Sequence, residues 1–452
     1  MVRPNHEHIQ LDLEQRLRPE LWTLLQTMAR STQERGWQLY LVGGVVRDLL
    51  LATDRGRLSS PDLDLVVDGG NDERVGVELA TALHQLYPTA QLKIHGKFQT
   101  AALEWNEDPI LGSLSIDIAT ARTESYAYPA ANPDVIASSI RADLYRRDFT
   151  VNALTIRLTQ PQAGELFDFF GGLVDLEAKQ LRVLHADSFI DDPTRIYRGM
   201  RFAVRLGFAI EPQTQSYIRS AIASGIYERT LATYPKVPAL QTRLKAELKY
   251  ILQTDDWFAV LGRLDELAAL KCLHPNLKLD LEVRRRLQSI DSLIQTTNLP
   301  HLSPWLLRLE ILLTGLILVD RIATIAQLQL PPESLTRLSA LDLSHQELIT
   351  ALSADISIGQ IVRLLQPYDR ILLLSIAIIA KPQLSSIVQQ YLTTWIHIKP
   401  PIDGRDLKSL GYKPGKQYQQ ILDTVLIATL DGIITDRDSA IEFVRQSFVG
   451  VD

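Results

Sequence analysis

The stretch SPDLDLVVDGG (residues 60–70) carries two carboxylates, Asp62 and Asp64, within a run that otherwise reads as a buried strand. Leucine and valine favour strands, whereas aspartate is among the poorest strand formers. Residues two apart on a strand share a face at a spacing of about 6.6 Å. Two like charges at that distance repel by about 2–3 kcal/mol at an effective dielectric near 20. A divalent cation bound by both carboxylates would offset this cost; the alternative is a solvated pair at the mouth of the strand.

The composition is that of an ordinary globular protein with several domains. A chain of 452 residues is too long for one core and indicates two to four domains. The net charge of −6 does not indicate a nucleic-acid partner, so any polyanion site must be a local basic patch. The single cysteine, Cys272, excludes an internal disulfide and a cysteine-cluster zinc site.

The sequence shows neither a secretory signal nor a membrane span. Residues 1–15 lack an apolar signal segment. The longest apolar run, ILLLSIAIIA (residues 371–380), is much shorter than the ~20 residues that cross a bilayer. We therefore expect a cytoplasmic, reduced protein with no membrane contact.

Two patterns of periodicity divide the chain. In the first third, helical runs alternate with strand-like runs such as WQLYLV (residues 37–42) and LSIDIATA (residues 114–121). This alternation predicts an α/β or α+β domain built on a small sheet. From about Asp187, strand signals nearly vanish and leucine-rich helical periods continue, so we predict a helical body after the head.

A glycine pair precedes the aspartate-bearing strand. LVGGVVRDLL (residues 41–50) places Gly43 and Gly44 between a predicted strand and a predicted helix. Glycines there let the backbone approach a ligand, and the helix N-terminus behind them favours phosphate. Arg47, one turn into the helix, could reach the same anion. A lone Gly-Gly is more often a tight turn, but beside Asp-x-Asp it predicts a phosphate cradle next to a metal pair.

A third carboxylate, Asp117, lies in a later predicted strand and is a further candidate catalytic residue. From a neighbouring strand it could join Asp62 and Asp64. Three oxygen ligands without a nearby histidine or cysteine suit Mg²⁺, which keeps several waters and takes its remaining ligands from substrate phosphates.

YRRDFTVNAL (residues 145–154) combines basic and amide side chains with an apolar run. Arg146 and Arg147 precede Asp148, and Asn152 lies among apolar residues. Adjacent arginines usually face solvent, but a buried amide needs hydrogen-bond partners. The functional interpretation is that Asn152 and the arginines bind the sugar and triphosphate of a nucleotide.

IDDPTRIYRGMRFAVRLGF (residues 190–208) contains a capped helix with a basic face. Asp192, followed by proline, is a predicted N-cap with proline at the first helical position. Four arginines fall within about 120° of one face, at ~100° per residue. The rest of the helix is apolar, so this face is predicted to line a cleft. The four are Arg195, Arg198, Arg201 and Arg205.

In this order and spacing, these motifs resemble the bacterial-type (class II) CCA-adding tRNA nucleotidyltransferase and poly(A) polymerase family. The resemblance runs through about residue 210 and returns at GRDLKSLGYKPGKQYQQIL (residues 404–422), which is similar to the family's tail. It implies an α+β fold with a polymerase-β-like nucleotidyltransferase palm, or head, in residues 1–158. A neck with nucleotide-selecting and RNA-binding helices would follow in residues 159–275, and a helical, tRNA-binding body and tail in residues 276–452.

The resemblance also implies roles for single residues. Asp62 and Asp64 match the metal-binding carboxylates. Asp191 stands where the family more often has glutamate, and the neck motif that usually reads Glu-Arg has Thr242 and Arg243, so that segment receives no role. The residues that match the ribose- and phosphate-contacting motif are Arg146, Arg147, Asp148 and Asn152. The residues that match the motif selecting the base without a template are Asp191, Asp192 and Arg195.

Base choice has a simple hydrogen-bond logic. Cytosine and adenine present an exocyclic amine beside an accepting ring nitrogen, whereas uracil and guanine present a carbonyl beside N–H. One acceptor and one donor fixed side by side therefore discriminate between the two pairs. We predict Asp192 as the acceptor and Arg195 as the donor. The alternative is that Asp192 caps the helix and Arg195 neutralises it.

The implied reaction joins an RNA 3′-hydroxyl to the α-phosphate of CTP or ATP, with Mg²⁺ and loss of pyrophosphate. Three interpretations stay open: a tRNA nucleotidyltransferase adding all or part of CCA, a poly(A) polymerase, and a non-catalytic RNA-binding relative. Retention of the costly Asp62–Asp64 pair argues against the last. The expected RNA partner is tRNA, contacted at its acceptor and TΨC arms, in part through tail lysines at 408, 413 and 416; the oligomeric state is not predicted.

Overall fold

The chain divides into two compact units. Unit 1 comprises Met1–Glu247 and Ala259–Cys272, and unit 2 comprises Leu248–Phe258 and Leu273–Asp452. In the part of the chain that the structure describes, every strand belongs to unit 1. The structure is a computed structural model, and the residues that it describes are 12–51, 63–233, 238–352 and 356–448.

Unit 1 is built on short strands. In chain order they are β1 (Gln38–Val42), β2 (Leu63–Asp68), β3 (Gln91–His95), β4 (Thr100–Asp108), β5 (Gly112–Thr120), β6 (Arg122–Ser125), β7 (Asp134–Ala137), β8 (Thr155–Arg157), β9 (Leu166–Phe167), β10 (Gln180–Leu181) and β11 (Ala209–Ile210). One mixed sheet has the order β3-β4-β5-β2-β1-β8-β9, while β6 pairs with β7 and β10 with β11.

Several helices are interspersed with these strands or follow them up to Glu266. In chain order they are α1 (Pro19–Gln33), α2 (Gly44–Leu51), α3 (Val75–Leu86), α4 (Ile140–Tyr145), α5 (Gly172–Glu177), α6 (Ser188–Asp191), α7 (Thr194–Leu206), α8 (Pro212–Ala223), α9 (Ile226–Thr233), α10 (Pro238–Gln253) and α11 (Trp257–Glu266). Short 3₁₀ turns occur at Gly96–Phe98, Thr150–Asn152 and Ala269–Cys272.

The central strand β2 separates two faces of the sheet. Leu63, Leu65 and Val67 belong to a core that also contains the apolar residues of α1 and α3. Because successive strand residues point to opposite faces, Asp64 and Val66 lie on the other face, where Val66 packs with residues of α4. The period-two pattern of β2 therefore places a carboxylate on the face away from α1 and α3.

The register of β2 aligns the predicted acidic side chains. β2 pairs antiparallel with β1, with Asp64 opposite Val42, and parallel with β5, with Asp64 opposite Asp117. Residues in register on neighbouring strands project from the same face. Asp64 and Asp117 thus lie side by side, as expected for carboxylates on neighbouring strands.

Unit 2 is helical throughout its described residues after Leu273. Its helices are α12 (Leu281–Thr297), α13 (Pro304–Leu313), α14 (Leu318–Gln327), α15 (Pro332–Ala351), α16 (Ile358–Leu365), α17 (Arg370–Ile379), α18 (Pro382–Thr393), α19 (Gly404–Ser409), α20 (Lys416–Leu430) and α21 (Arg437–Ser447), with a 3₁₀ turn at Trp395–His397. The longest apolar run of the sequence is α17, which packs against α12, α15 and α18. Its apolar character is therefore that of a core helix, and no helix among the described residues is long and apolar enough to cross a membrane.

Candidate functional site

A cavity of about 1180 Å³ in unit 1 brings the predicted side chains together. Asp62 lies outside the described residues. Asp191, the last residue of α6, is not part of the lining; its backbone carbonyl accepts a hydrogen bond from Ala130 N at 3.2 Å. The predicted residues that line the cavity are Gly43, Gly44, Arg47, Asp64, Asp117, Arg146, Arg147, Asp148, Asn152, Asp192, Arg195, Arg198 and Arg201.

One side of the cavity, the sheet wall, consists of Gly43, Gly44, Asp64 and Asp117. Gly43 follows β1 with a φ of +80°, a conformation that favours glycine. A Cβ built on Gly43 would lie 3.0 Å from Oδ2 of Asp64. A side chain at this position would therefore fill the space in front of the carboxylate.

The sheet wall fits a hard divalent cation by its chemistry. Mg²⁺ prefers carboxylate oxygens and keeps room for water and phosphate oxygens. Asp64 and Asp117 supply such oxygens, and the missing side chain of Gly43 leaves space beside Asp64. Among the described residues no three His, Cys, Asp or Glu side chains form a metal-binding group; the remaining predicted ligand, Asp62, lies outside them.

Arg146 and Arg147, directly after α4, differ in their surroundings. Arg146 donates from Nε and Nη2 to Oδ1 of Asp143, at 3.0 and 2.7 Å, and from Nη1 to Glu124 at 2.8 Å. Arg147 contacts Asp143 through a longer 3.3 Å bond, and its buried Nε has no hydrogen-bond partner among the described residues. Nη1 of Arg147 is 3.5 Å from the position a Cβ on Gly43 would take. Arg147 is therefore the better placed of the two to bind an anion at the sheet wall.

Asp148 is the buried centre of a polar network. Its Oδ1 accepts from Nδ2 of Asn152 at 3.0 Å, and its Oδ2 accepts from Nε of Arg198 at 2.9 Å. Asn152 in turn accepts from Nη1 of Arg47 at 2.6 Å. Burial alone would raise the pKa of Asp148, but Arg198 and Asn152 outweigh it and lower the pKa to about 2. Asp148, Asn152 and Arg47 thus orient one another at the edge of the cavity.

A second part of the cavity lining, the helical wall, consists of Asp192, Arg195, Arg198, Arg201 and Glu247. Arg198 and Arg201, on α7, contact the carboxylate of Glu247, on α10, at 3.3 and 3.0 Å. The arginine face of α7, including Arg205, lines the cavity. Because these guanidinium groups are held by carboxylates, their positions are set before any ligand binds.

The predicted base-selecting residues lie at the start of α7. Oδ1 of Asp192 accepts from the backbone N and Oγ1 of Thr194, at 3.0 and 2.6 Å. Arg195 donates from Nη1 to Oγ of Ser188 at 2.6 Å and from Nη2 to the carbonyl oxygen of Arg146 at 2.7 Å. Asp192 was predicted as the N-cap, but the N-cap of α7 is Pro193, and Asp192 lies one residue earlier, where its carboxylate bonds Thr194. Both side chains have fixed orientations.

Several lining residues were not predicted from the sequence. Arg243, in the segment that received no role, lies with Nε 3.5 Å from Oδ2 of Asp192. Tyr126 donates from its hydroxyl to Glu124 at 2.9 Å. Two of these residues could have been found from the sequence, because Arg243 and Glu247 on α10 are four residues apart and so share one helix face. The unpredicted polar lining residues are Asp48, Thr100, Glu124, Tyr126, Thr194, Arg243 and Glu247.

Comparisons with known proteins identify the family. Residues 39–182 match the family described as Poly A polymerase head domain. The A-adding tRNA nucleotidyltransferase of Halalkalibacterium halodurans is 30% identical over 448 residues, which cover 94% of this chain and 92% of that protein. The chain belongs to this family of tRNA nucleotidyltransferases and poly(A) polymerases, as the sequence motifs indicated.

Further similarities agree in fold but differ in length. The A-adding tRNA nucleotidyltransferase of Geobacter sulfurreducens is 30% identical over 426 residues, 92% of this chain and 46% of that protein. The chain thus spans about half the length of that relative. The structure of the Thermotoga maritima CCA-adding enzyme with tRNA has a TM-score of 0.76 at 28% identity, covering 97% of this chain and 98% of that one. The α+β fold with helical C-terminal domains is confirmed, and enzymes of this family generally use a divalent metal ion.

Proposed function

We propose that the chain is a template-independent tRNA nucleotidyltransferase that adds C or A residues, all or part of CCA, to the tRNA 3′ end from CTP and ATP. One observation carries the proposal: a single cavity joins the carboxylates Asp64 and Asp117 to the Asp192–Arg195 pair. The relatives' names describe A-adding, CC-adding and CCA-adding enzymes, and solved structures of similar enzymes contain tRNA, ATP or CTP. This combination supports catalysis and base selection at one site.

Mg²⁺ is the proposed metal. Asp62 and Asp64 would hold it, with Asp117 beside them on the neighbouring strand. When bound, the metal would stabilise charge on the phosphate oxygens and lower the pKa of the attacking hydroxyl. The carboxylates of this chain would contribute by holding the positive charge of the metal at the face of the sheet that lines the cavity.

The chain's own groups would position the triphosphate. Gly43 and Gly44 let the backbone approach it at the N-terminus of α2, and Arg147 supplies a guanidinium next to Gly43. Held in this way, the α-phosphate can be attacked in line by the RNA 3′-oxygen. The new bond joins that oxygen to the α-phosphorus, and the bond to pyrophosphate breaks.

Asp192 and Arg195 would read the base. The carboxylate accepts from the exocyclic amine of cytosine or adenine, and the guanidinium donates to the adjacent ring nitrogen. With uracil or guanine, donors would face donors and the acceptor would face a carbonyl, which leaves buried groups unpaired. No nucleic-acid template is needed for this choice.

The tRNA is proposed to bind in the neck, body and tail, that is, in residues 159–275 and 276–452, after the palm of residues 1–158. In the tail, Lys408, Lys413 and Lys416 are exposed, as backbone-charge recognition of the acceptor and TΨC arms requires. A cytoplasmic location belongs to the same proposal, because tRNA maturation from CTP and ATP occurs in that compartment.

The test uses purified protein with three tRNAs, ending before CCA, after C and after CC. Each is supplied with CTP, ATP or both in Mg²⁺. Limited addition of C or A to tRNA, with little use of UTP or GTP, supports the proposal and defines which part of CCA is made. Long adenylate tails on unrelated RNA would favour a poly(A) polymerase. Binding without incorporation would favour a non-catalytic relative.

A further inference from the structure

We propose that Thr194 is a positioning residue for base selection: it fixes the Asp192 carboxylate so that Oδ2 is presented to the incoming base. The inference rests on the proposed function, because it concerns how that site chooses its nucleotide. It assigns a role to a cavity-lining hydroxyl that neither the sequence motifs nor the resemblance singled out.

The two oxygens of Asp192 have different surroundings. Oδ1 is occupied by Thr194, whose backbone N and Oγ1 donate to it at 3.0 and 2.6 Å. Thr194 is 3% exposed, so this contact is shielded from water. The Asp192 side chain keeps 18% of its surface exposed within the cavity lining. Oδ2 is therefore the oxygen that a ligand can address.

The surroundings of Oδ2 favour an acceptor role. Nε of Arg243 lies 3.5 Å away, close enough for attraction but too far for a good hydrogen bond. Arg243 is itself anchored, because its Nη2 donates to the carbonyl oxygen of Ala130 at 3.1 Å. A carboxylate oxygen beside this guanidinium can accept a hydrogen bond but cannot donate one.

Orientation matters because the terminal torsion of an aspartate is soft. Torsions between sp³ and sp² atoms have broad minima, so an unrestrained carboxylate can rotate. A water molecule that replaced the rotated oxygen would donate as readily as it accepts. Such a site would tolerate the carbonyl of uracil or guanine. The hydroxyl of Thr194, through its 2.6 Å bond, prevents this rotation.

The test compares Thr194→Val with Thr194→Ser. Valine keeps the shape and the backbone N–H bond but removes the hydroxyl, whereas serine keeps the hydroxyl. We expect Thr194→Val to lower the ratio of kcat/KM for the correct nucleotide over UTP or GTP about tenfold. Most of the change should be a gain with UTP and GTP, while kcat with the correct nucleotide stays within about threefold. Thr194→Ser should restore the wild-type ratio.

Thr214→Val is a matched control for general destabilisation. Thr214 is also a buried threonine at a helix start, and its Oγ1 and N donate to Glu211 at 2.9 and 2.7 Å, but it lies outside the cavity lining. Thr214→Val should lower the melting temperature without changing base selectivity. Unchanged selectivity in Thr194→Val, or an equal loss in Thr214→Val, would overturn the inference. A wild-type enzyme that incorporates all four nucleotides equally would instead overturn the proposed function.

Discussion

The two walls of the cavity are built on different principles. The sheet wall places Asp64 and Asp117 side by side on parallel strands, beside a glycine that leaves space in front of one of them. In the helical wall, by contrast, Arg198 and Arg201 share the carboxylate of Glu247. Concentrated negative charge suits a site that is completed by a cation and phosphates. Paired, oriented groups suit a surface that compares ligands of similar size.

The largest effect is expected at the sheet wall. Asp64→Asn should lower the rate of nucleotide incorporation by at least about a thousandfold, because the metal-binding charge is lost. tRNA affinity, measured by filter binding, should change by less than about twofold, since the proposed tRNA-binding surface is in the neck, body and tail. If Asp64→Asn kept more than a few per cent of the wild-type rate in Mg²⁺, the assignment of the sheet wall to the chemical step would be wrong.

Asp68→Asn is the matched control on the same strand and face. Asp68 accepts from the backbone N of Gly70 at 3.1 Å and of Ile140 at 2.8 Å, and it lies outside the cavity lining. The incorporation rate of Asp68→Asn should stay within about threefold of wild type. An equal loss in both variants would show that the strand tolerates no change, whatever its role.

Arg146 and Arg147 are adjacent in the sequence but are predicted to have different roles. Arg147→Ala should raise the KM for nucleoside triphosphate about tenfold, because it removes the guanidinium next to Gly43. Arg146→Ala should mainly lower stability, by about 3 kcal/mol, since it leaves the buried Asp143 with a single, weaker arginine contact. Steady-state kinetics and urea unfolding of both variants test this. A larger KM effect in Arg146→Ala would reverse the assignment.

The smallest effect concerns acid stability of the network behind the helical wall. The folded-state pKa of Asp148 is about 2, below its ordinary value of 3.8, so its contribution is fully present above about pH 4. That contribution, about 2 kcal/mol by linkage, is lost as the pH falls from about 4 towards 2. The difference in unfolding free energy between wild type and Asp148→Asn should shrink over this range. A difference independent of pH would contradict the Arg198–Asp148 pairing.

Local patterns predicted the sheet wall well. The strand predicted through Asp64 and the strand predicted through Asp117 are neighbours in the sheet, and the two carboxylates lie in register. The position of the glycine pair between a strand and α2 was predicted, because adjacent glycines interrupt the strand and helix patterns. The short strands β6 to β11 were missed, since two to four residues give too few positions for a period to show.

The helical wall could not be completed from local patterns. The arginine face of α7 was visible, but its partner Glu247 lies 46 to 49 residues away. Likewise, the sequence gives no reason to distinguish Arg146 from Arg147, because Glu124, which accepts from Arg146, lies on β6, 22 residues earlier. Which arginine can bind a ligand depends on ion pairs between residues that are distant in the sequence. No periodic pattern in a single sequence reveals such pairs.

Asp192→Asn tests most directly whether the helical wall selects the base while the sheet wall serves the chemical step. Thr194 can still bond the amide oxygen, so the amide nitrogen takes the place of Oδ2 and presents a donor where wild type has an acceptor. The measurement is single-turnover incorporation of each of the four nucleoside triphosphates into tRNA lacking its 3′ end. We predict that the preference for C or A over U or G falls at least tenfold while incorporation continues. An unaltered preference, or a loss of all incorporation as severe as in Asp64→Asn, would contradict the account.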